Sequence, residues 1–267
     1  MELVYERRGR GAPLVLMHGI GHHWQAWTPV LDLLAERFDV IAVDLPGFGA
    51  SPPLPPGLPY NAETLAYAVE VFWAKLGISE PHVAGCSLGG YLALDMASRG
   101  VVRSATALSP AGFWSRSELF YARSVLRLLR AAAVASTPEL VGSPAGRAFT
   151  GRLLVAKPAQ VEPAALVAGV AALRSAVGFD DMLDSFLWMA PPAPPKVPIT
   201  VAWGEHDRLL VRRQAVRAGR WAQQRVALLQ GCGHLPMSDD PELVARVITD
   251  GTREPTPGLT DAGREPS

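Results

Sequence analysis

Six short apolar runs, at 14–17, 40–43, 82–84, 101–108, 199–203 and 225–229, punctuate the chain at a spacing that leaves room for a helix between most of them. Runs that are apolar at nearly every position belong to strands covered on both faces. Strands of that kind separated by helices form a parallel sheet. Amphipathic stretches at 24–37, 62–76, 89–99 and 211–221 supply the helices. Asp240-Pro241-Glu242 opens a last one, to about 249, with a cap, a proline at the first position and an acid in the first turn.

The alternation stops between 113 and 190, where only helical segments appear, at 118–135, 139–155 and 162–177. The Pro-rich stretch 191–195 then returns the chain to a strand as a semi-rigid linker. The expected organisation is an α/β core from 1–112 and 191–250, with 113–190 as a helical cap inserted into it. The tail 251–267 holds Leu259 as its one large apolar residue and is expected to be disordered.

Composition narrows the function classes. The 25 Lys and Arg balance 25 Asp and Glu, so the basic surplus that a nucleic-acid surface requires is missing. Cys86 and Cys232 are too few for a disulfide framework. The longest strongly apolar run, 164–173, is about half of a bilayer span. The first residues show no apolar signal core, so a cytoplasmic protein without a membrane span is the expectation.

The chemistry concentrates at Gly85-Cys86-Ser87-Leu88-Gly89-Gly90, between a strand and a helix. A serine on such a turn stands above the sheet edge, at a helix N-terminus whose free N–H groups favour developing negative charge. The alternative for this stretch is a glycine-rich turn with a capping serine. A seryl hydroxyl needs a base, and the base needs an orienting acid. Asp207, in Gly204-Glu205-His206-Asp207, and His234, in Gly231-Cys232-Gly233-His234, both follow expected strands. They stand in the chain order serine, acid, histidine.

His206 and Glu205 are alternatives as base and acid, disfavoured because their side chains leave the loop in other directions. Asp32, Asp180, Asp181 and Asp184 read as solvated, Asp239 and Asp240 as helix caps, and His82 as a satisfied structural histidine. His18-Gly19-Ile20-Gly21 follows the first apolar run. The N–H groups of Ile20 and Leu88 are the candidate oxyanion donors, and His18 is expected to hold this loop. His22, His23, Trp24 and Trp27 read as a helix start, or, for His22 and His23, as the lining of an acyl pocket. Gly19, Phe113 and Trp114 are the other pocket candidates. Arg123, Arg127 and Arg130 share one face of the segment 118–135, either as a solvated basic face or as a site for an anionic acyl carrier such as a CoA thioester.

Taken together, His18-Gly19, Asp44-Leu45-Pro46-Gly47-Phe48-Gly49, Gly85 to Gly90, Gly204 to Asp207 and Gly231 to His234 resemble the α/β-hydrolase superfamily. The resemblance runs from about Tyr5 to Ile248, the stretch 113–190 excepted. It implies a mainly parallel eight-stranded sheet with helices on both faces and a helical cap after the sixth strand. It also implies Ser87 as nucleophile, Asp207 as acid, His234 as base, and no metal or organic cofactor. The expected substrate is a small carboxylic ester or thioester. C–C bond hydrolysis of ring-fission products and cofactor-free haloperoxidase or perhydrolase chemistry are alternatives on the same triad. A non-catalytic binding protein is the alternative from another class. Dehalogenases and epoxide hydrolases of the superfamily carry Asp where Ser87 stands, which argues against both. Gly9-x-Gly11 precedes its strand, the wrong order for a dinucleotide-binding turn.

Overall fold

The computed structural model describes residues 1–253, apart from the side chains at 149 and 150. Its strands are β1 Tyr5–Arg8, β2 Ala12–Met17, β3 Phe38–Val43, β4 His82–Cys86, β5 Ser104–Leu108, β6 Ile199–Gly204 and β7 Ala227–Leu229. They form one sheet in the order β1-β3-β2-β4-β5-β6-β7. Every neighbour pair is parallel except β1 with β3. Among the described residues the sheet has seven strands, where eight were expected. The added edge strand β1, Tyr-Glu-Arg-Arg, lacks an apolar run because its outer edge and much of its surface face water. It is held by paired edge charges such as Arg7 with Asp39.

The helices of the core are α1 Thr28–Ala35, α2 Ala62–Lys75, α3 Leu88–Arg99, α9 Arg212–Ala222, α10 Pro236–Asp239 and α11 Pro241–Gly251. Between β5 and β6 lie α4 Arg116–Ala135, α5 Pro138–Gly142, α6 Pro144–Gly151, α7 Pro163–Ser175 and α8 Phe179–Ser185. The stretch expected as one helix over 139–155 is two, because Ser143 caps α6 and Pro144 cannot continue α5. The helix α8 follows the three segments named above and carries Asp180, Asp181 and Asp184, which read as lying on a helix-like stretch. The tail expectation lies outside the described residues from 254 onward, and Gly251 closes α11.

Side chains alternate across each strand, so β2 feeds two cores. Leu14 and Leu16 join Val40 and Ala42 under α1 and α11, where Leu31, Leu34 and Ile248 cover them. Val15 and Met17 join Ile41, Val83 and Trp203 under α2, α3 and α9. No helix of the described residues is long and apolar enough to cross a membrane.

At the end of β2 the chain meets its first buried histidine. The His18 Nδ1–H donates to Gly19 O at 2.7 Å, and its Nε2 accepts the Leu45 N–H at 3.0 Å. Both bonds suit the neutral ring, and burial pushes its pKa down to about 3. The folded protein therefore keeps His18 neutral where the unfolded chain, titrating near 6.5, has taken up a proton. The stability from this group is present above about pH 6.5 and declines as pH falls toward 3. We predict that His18→Gln flattens the acid side of the stability curve, measured by urea unfolding between pH 7 and pH 4, by about 1.4 kcal/mol per pH unit. Parallel curves for variant and parent would contradict this.

Candidate functional site

Four strand ends converge at the carboxyl edge of the sheet. After β4, Ser87 takes φ +57° and ψ −115°, a conformation that favours glycine, yet a serine occupies it. Its backbone is held on three sides. The Ser87 N–H donates to Leu108 O at 2.9 Å, and Ser87 O accepts from Tyr91 at 3.0 Å and Ala111 at 3.1 Å. The turn closes because its flanking residues lack side chains. A Cβ at Gly89 would lie 2.1 Å from Met17 O, and one at Gly85 2.1 Å from Gly89 O. β2, β4 and α3 meet there at backbone distance.

After β6, Asp207 is buried, and its Oδ1 accepts the N–H groups of Leu209 at 2.9 Å and Leu210 at 2.8 Å. That leaves Oδ2 for His234, whose Nδ1 lies 2.7 Å away. The two side chains are 0% and 3% exposed, so the pair is shielded from competing water. The acid and histidine loops lie directly against each other, since a Cβ at Gly204 would meet Gly233 O at 2.0 Å. His234 O accepts the thiol of Cys86, the residue before Ser87, at 3.3 Å. Ser87 Oγ itself makes no hydrogen bond to His234. Such contacts are often long without substrate and shorten in the Michaelis complex.

Gly19 lies beside the serine: a Cβ there would be 3.2 Å from Ser87 Cβ and 3.7 Å from Ser87 Oγ. Leu88 is the first residue of α3, so its N–H has no intrahelical partner. Neither it nor the Ile20 N–H donates to any group among the described residues. His22 accepts the His23 N–H on its Nδ1 at 3.0 Å, which leaves its Nε2 to carry the proton. Burial pushes its pKa down to about 3, with the His23, His18 and His234 rings adding to the effect. Its ring stacks on His23 at 5.0 Å and faces α7, where a Cβ at Gly169 would lie 3.7 Å from its Nε2. His23 is tied through its Nδ1 to Gln25. Phe113 packs on Trp221 and Trp114 on Phe186.

The other candidates fall elsewhere. His206 is half exposed, 3.7 Å from Glu205, and Glu205 accepts the Gly231 N–H. His82 bonds Ser104 Oγ at 2.8 Å. The arginine face of α4 is only partly solvated: Arg127 stays more than half exposed, while Arg123 is mostly covered and Arg130 is half-buried. Arg123 and Arg127 both hold Asp184 of α8, and Arg130 holds the carbonyls of Leu173 and Ala176. Asp184 is correspondingly paired, and Asp32 pairs with Arg8. Asp240 caps α11 as expected, but Asp239 does not act as a cap; its buried carboxylate accepts N–H groups from Gly233, Ala156 and Lys157. Asp44 is a further buried residue that the motif reading left without a task. Its carboxylate accepts the N–H groups of Trp24 at 2.6 Å and Ala50 at 2.8 Å, which fixes the loop beneath His18 and His22. Cys86 and Cys232 are both free and buried. Among the described residues no cluster of three or more His, Cys, Asp or Glu is arranged to hold a metal ion.

The chain has counterparts among known proteins. An uncharacterized protein of Mycobacterium tuberculosis is 30% identical over 259 residues, covering 87% of this chain and 73% of the relative. The epoxide hydrolase EphH of Mycobacterium tuberculosis is 28% identical over 212 residues, covering 74% of this chain and 97% of its own. Among solved structures, a membrane phospholipase A described as a bacterial virulence factor superposes with a TM-score of 0.75 at 27% identity, covering 95% of this chain and 84% of that one. The model of the alpha/beta hydrolase family matches residues 14–247, and the chain belongs to that family.

Proposed function

We propose that this hydrolase cleaves small carboxylic esters or thioesters through an acyl-enzyme on Ser87. The observation that carries the reading is the buried 2.7 Å contact of Asp207 Oδ2 with His234 Nδ1, set beside a serine held in a strained turn. With Nδ1–H donated to Asp207, the free lone pair of His234 is on Nε2, where it takes the Ser87 proton as Oγ attacks the acyl carbon. The imidazolium is stabilised by Asp207 and then protonates the leaving alcohol or thiol. The unengaged N–H groups of Ile20 and Leu88 are the donors for the tetrahedral oxyanion, and removing one such donor costs about 3–4 kcal/mol in related chemistry. Water, deprotonated by His234, then releases the acid.

The similarity to an epoxide hydrolase raises a second reaction, and the nucleophile decides against it. Ring opening by a carboxylate gives an ester that water can cleave at its carbonyl. Ring opening by Ser87 would give an ether with no such carbonyl, and the enzyme would stop after one turnover.

Residues 113–190 act in this reading as the cap that shapes the acyl site. Its support is local: a Cβ at Gly21 would be 2.5 Å from Leu173 of α7 and 3.2 Å from Phe179 of α8, and His22 faces Gly169. Of the pocket candidates, His22 meets Gly169 of α7 and Gly19 lies against Ser87, while His23, Phe113 and Trp114 have their contacts elsewhere. Two free cysteines suit a reducing, cytoplasmic setting.

Ser87→Ala is expected to lower kcat on p-nitrophenyl acetate by on the order of 10⁴-fold or more with the circular dichroism spectrum unchanged. Fluorophosphonate labelling at Ser87 should vanish in the same variant. Substantial residual turnover, or labelling of another serine, would reject the mechanism. Enlarging the α7 face with Gly169→Leu should shift preference toward short chains, lowering the octanoate-to-acetate ratio of kcat/KM by about tenfold. An unchanged ratio would remove α7 from the acyl pocket.

A further inference from the structure

The stretch 152–157, between α6 and α7, touches the acid loop at one end and the histidine loop at the other. Arg208, next to Asp207, donates from its guanidinium to Arg152 O at 2.7 Å, while Arg208 O accepts the Tyr121 hydroxyl of α4 at 2.8 Å. Two residues further along, Leu154 O accepts the N–H of Leu235, the residue after His234, at 2.8 Å. Asp239 completes the connection. Its Oδ2 accepts Gly233 N–H at 2.7 Å and Ala156 N–H at 3.0 Å, and its Oδ1 accepts Lys157 N–H at 2.8 Å. The Lys157 ammonium also reaches Asp239 O at 3.3 Å. Gly233 fits only because it lacks a Cβ, which would lie 2.8 Å from Ala156 N.

The backbone around His234 is thereby held at three points. The amide before the ring-bearing residue is held by Asp239, the amide after it by Leu154, and its own carbonyl by the Cys86 thiol. A buried carboxylate receiving three N–H groups is strongly bound, and its loss leaves three donors unpaired. We propose that Asp239 is a positioning residue for His234, and that together with segment 152–157 it forms a strap fixing the acid and base loops at one separation. The strap belongs to the inserted stretch rather than to the sheet, so the cap takes part in setting the base as well as the pocket. This inference rests on the serine-hydrolase reading, whose own failure would show as absent labelling of the unmodified protein at Ser87.

The experiment compares Asp239→Asn, Asp239→Glu and Arg208→Ala with the parent on p-nitrophenyl acetate, a substrate too short to depend on the pocket. Active sites are counted by fluorophosphonate titration and folding is followed by thermal unfolding. A displaced base should lower kcat per titrated site in Asp239→Asn by about 10- to 100-fold, with KM within about twofold. The labelling rate should fall in parallel, and Asp239→Glu should recover part of both. A kcat per titrated site equal to that of the parent would overturn the proposal, since a merely structural carboxylate changes the number of folded sites and not their turnover. Should Asp239→Asn not fold, Arg208→Ala decides alone because its side chain is exposed. A fall in kcat of about threefold or more at constant KM supports the strap, and unchanged kcat contradicts it.

Discussion

The hydrogen bond between Asp207 and His234 is the contact on which the rest of the site depends. It joins two loops that leave different strands, and it forms in a region with almost no solvent. Such a bond is worth having only if its geometry is held, because a buried carboxylate that loses its partner is strongly destabilising. The fold meets that requirement with backbone contacts. Gly204 and Gly233 let the two loops lie at van der Waals distance, and Leu209 and Leu210 occupy the Asp207 oxygen that does not face the histidine. The relative orientation of the two side chains is therefore built into the fold.

The Ser87 turn follows the same logic. Ser87 is held in an unfavourable backbone conformation by three backbone hydrogen bonds, and two glycines permit β2, β4 and α3 to close around it. His18 and Asp44, both buried, brace the facing loop through Leu45, Trp24 and Ala50. The helices between β5 and β6 are tied down by ion pairs and carbonyl contacts of their own. Arg130 of α4 holds the end of α7, and Arg174 of α7 returns the contact to Ala133 and Ser136 at the end of α4. Arg130 and Arg174 thus serve the internal architecture of this region.

The parts of this arrangement that were legible in the sequence are those carried by local pattern. Continuous apolar runs marked β2 to β7, and glycines around Ser87 and His234 marked the places where backbones approach. What local pattern misjudged has identifiable causes. β1 is polar because it is an edge, so no run announced it. Asp239 read as a helix cap because Asp240 and Pro241 beside it are a cap, and two of its three N–H partners lie more than eighty residues earlier. The arginines of α4 read as a basic face because the partners that cover Arg123 and Arg130, Asp184 of α8 and the carbonyls at the end of α7, lie more than forty residues later. In each case the missing information was a long-range partner, which a window of neighbouring residues does not contain.

The most direct examination of the central claim is to stop a steady-state reaction with a p-nitrophenyl ester by acid within milliseconds and map the acyl mass by peptide sequencing. The account predicts one acyl group per active site, formed in step with an initial burst of released p-nitrophenolate and located on the peptide at Ser87. Turnover with no trapped acyl group on this serine, or with the acyl group on a different side chain, would contradict it.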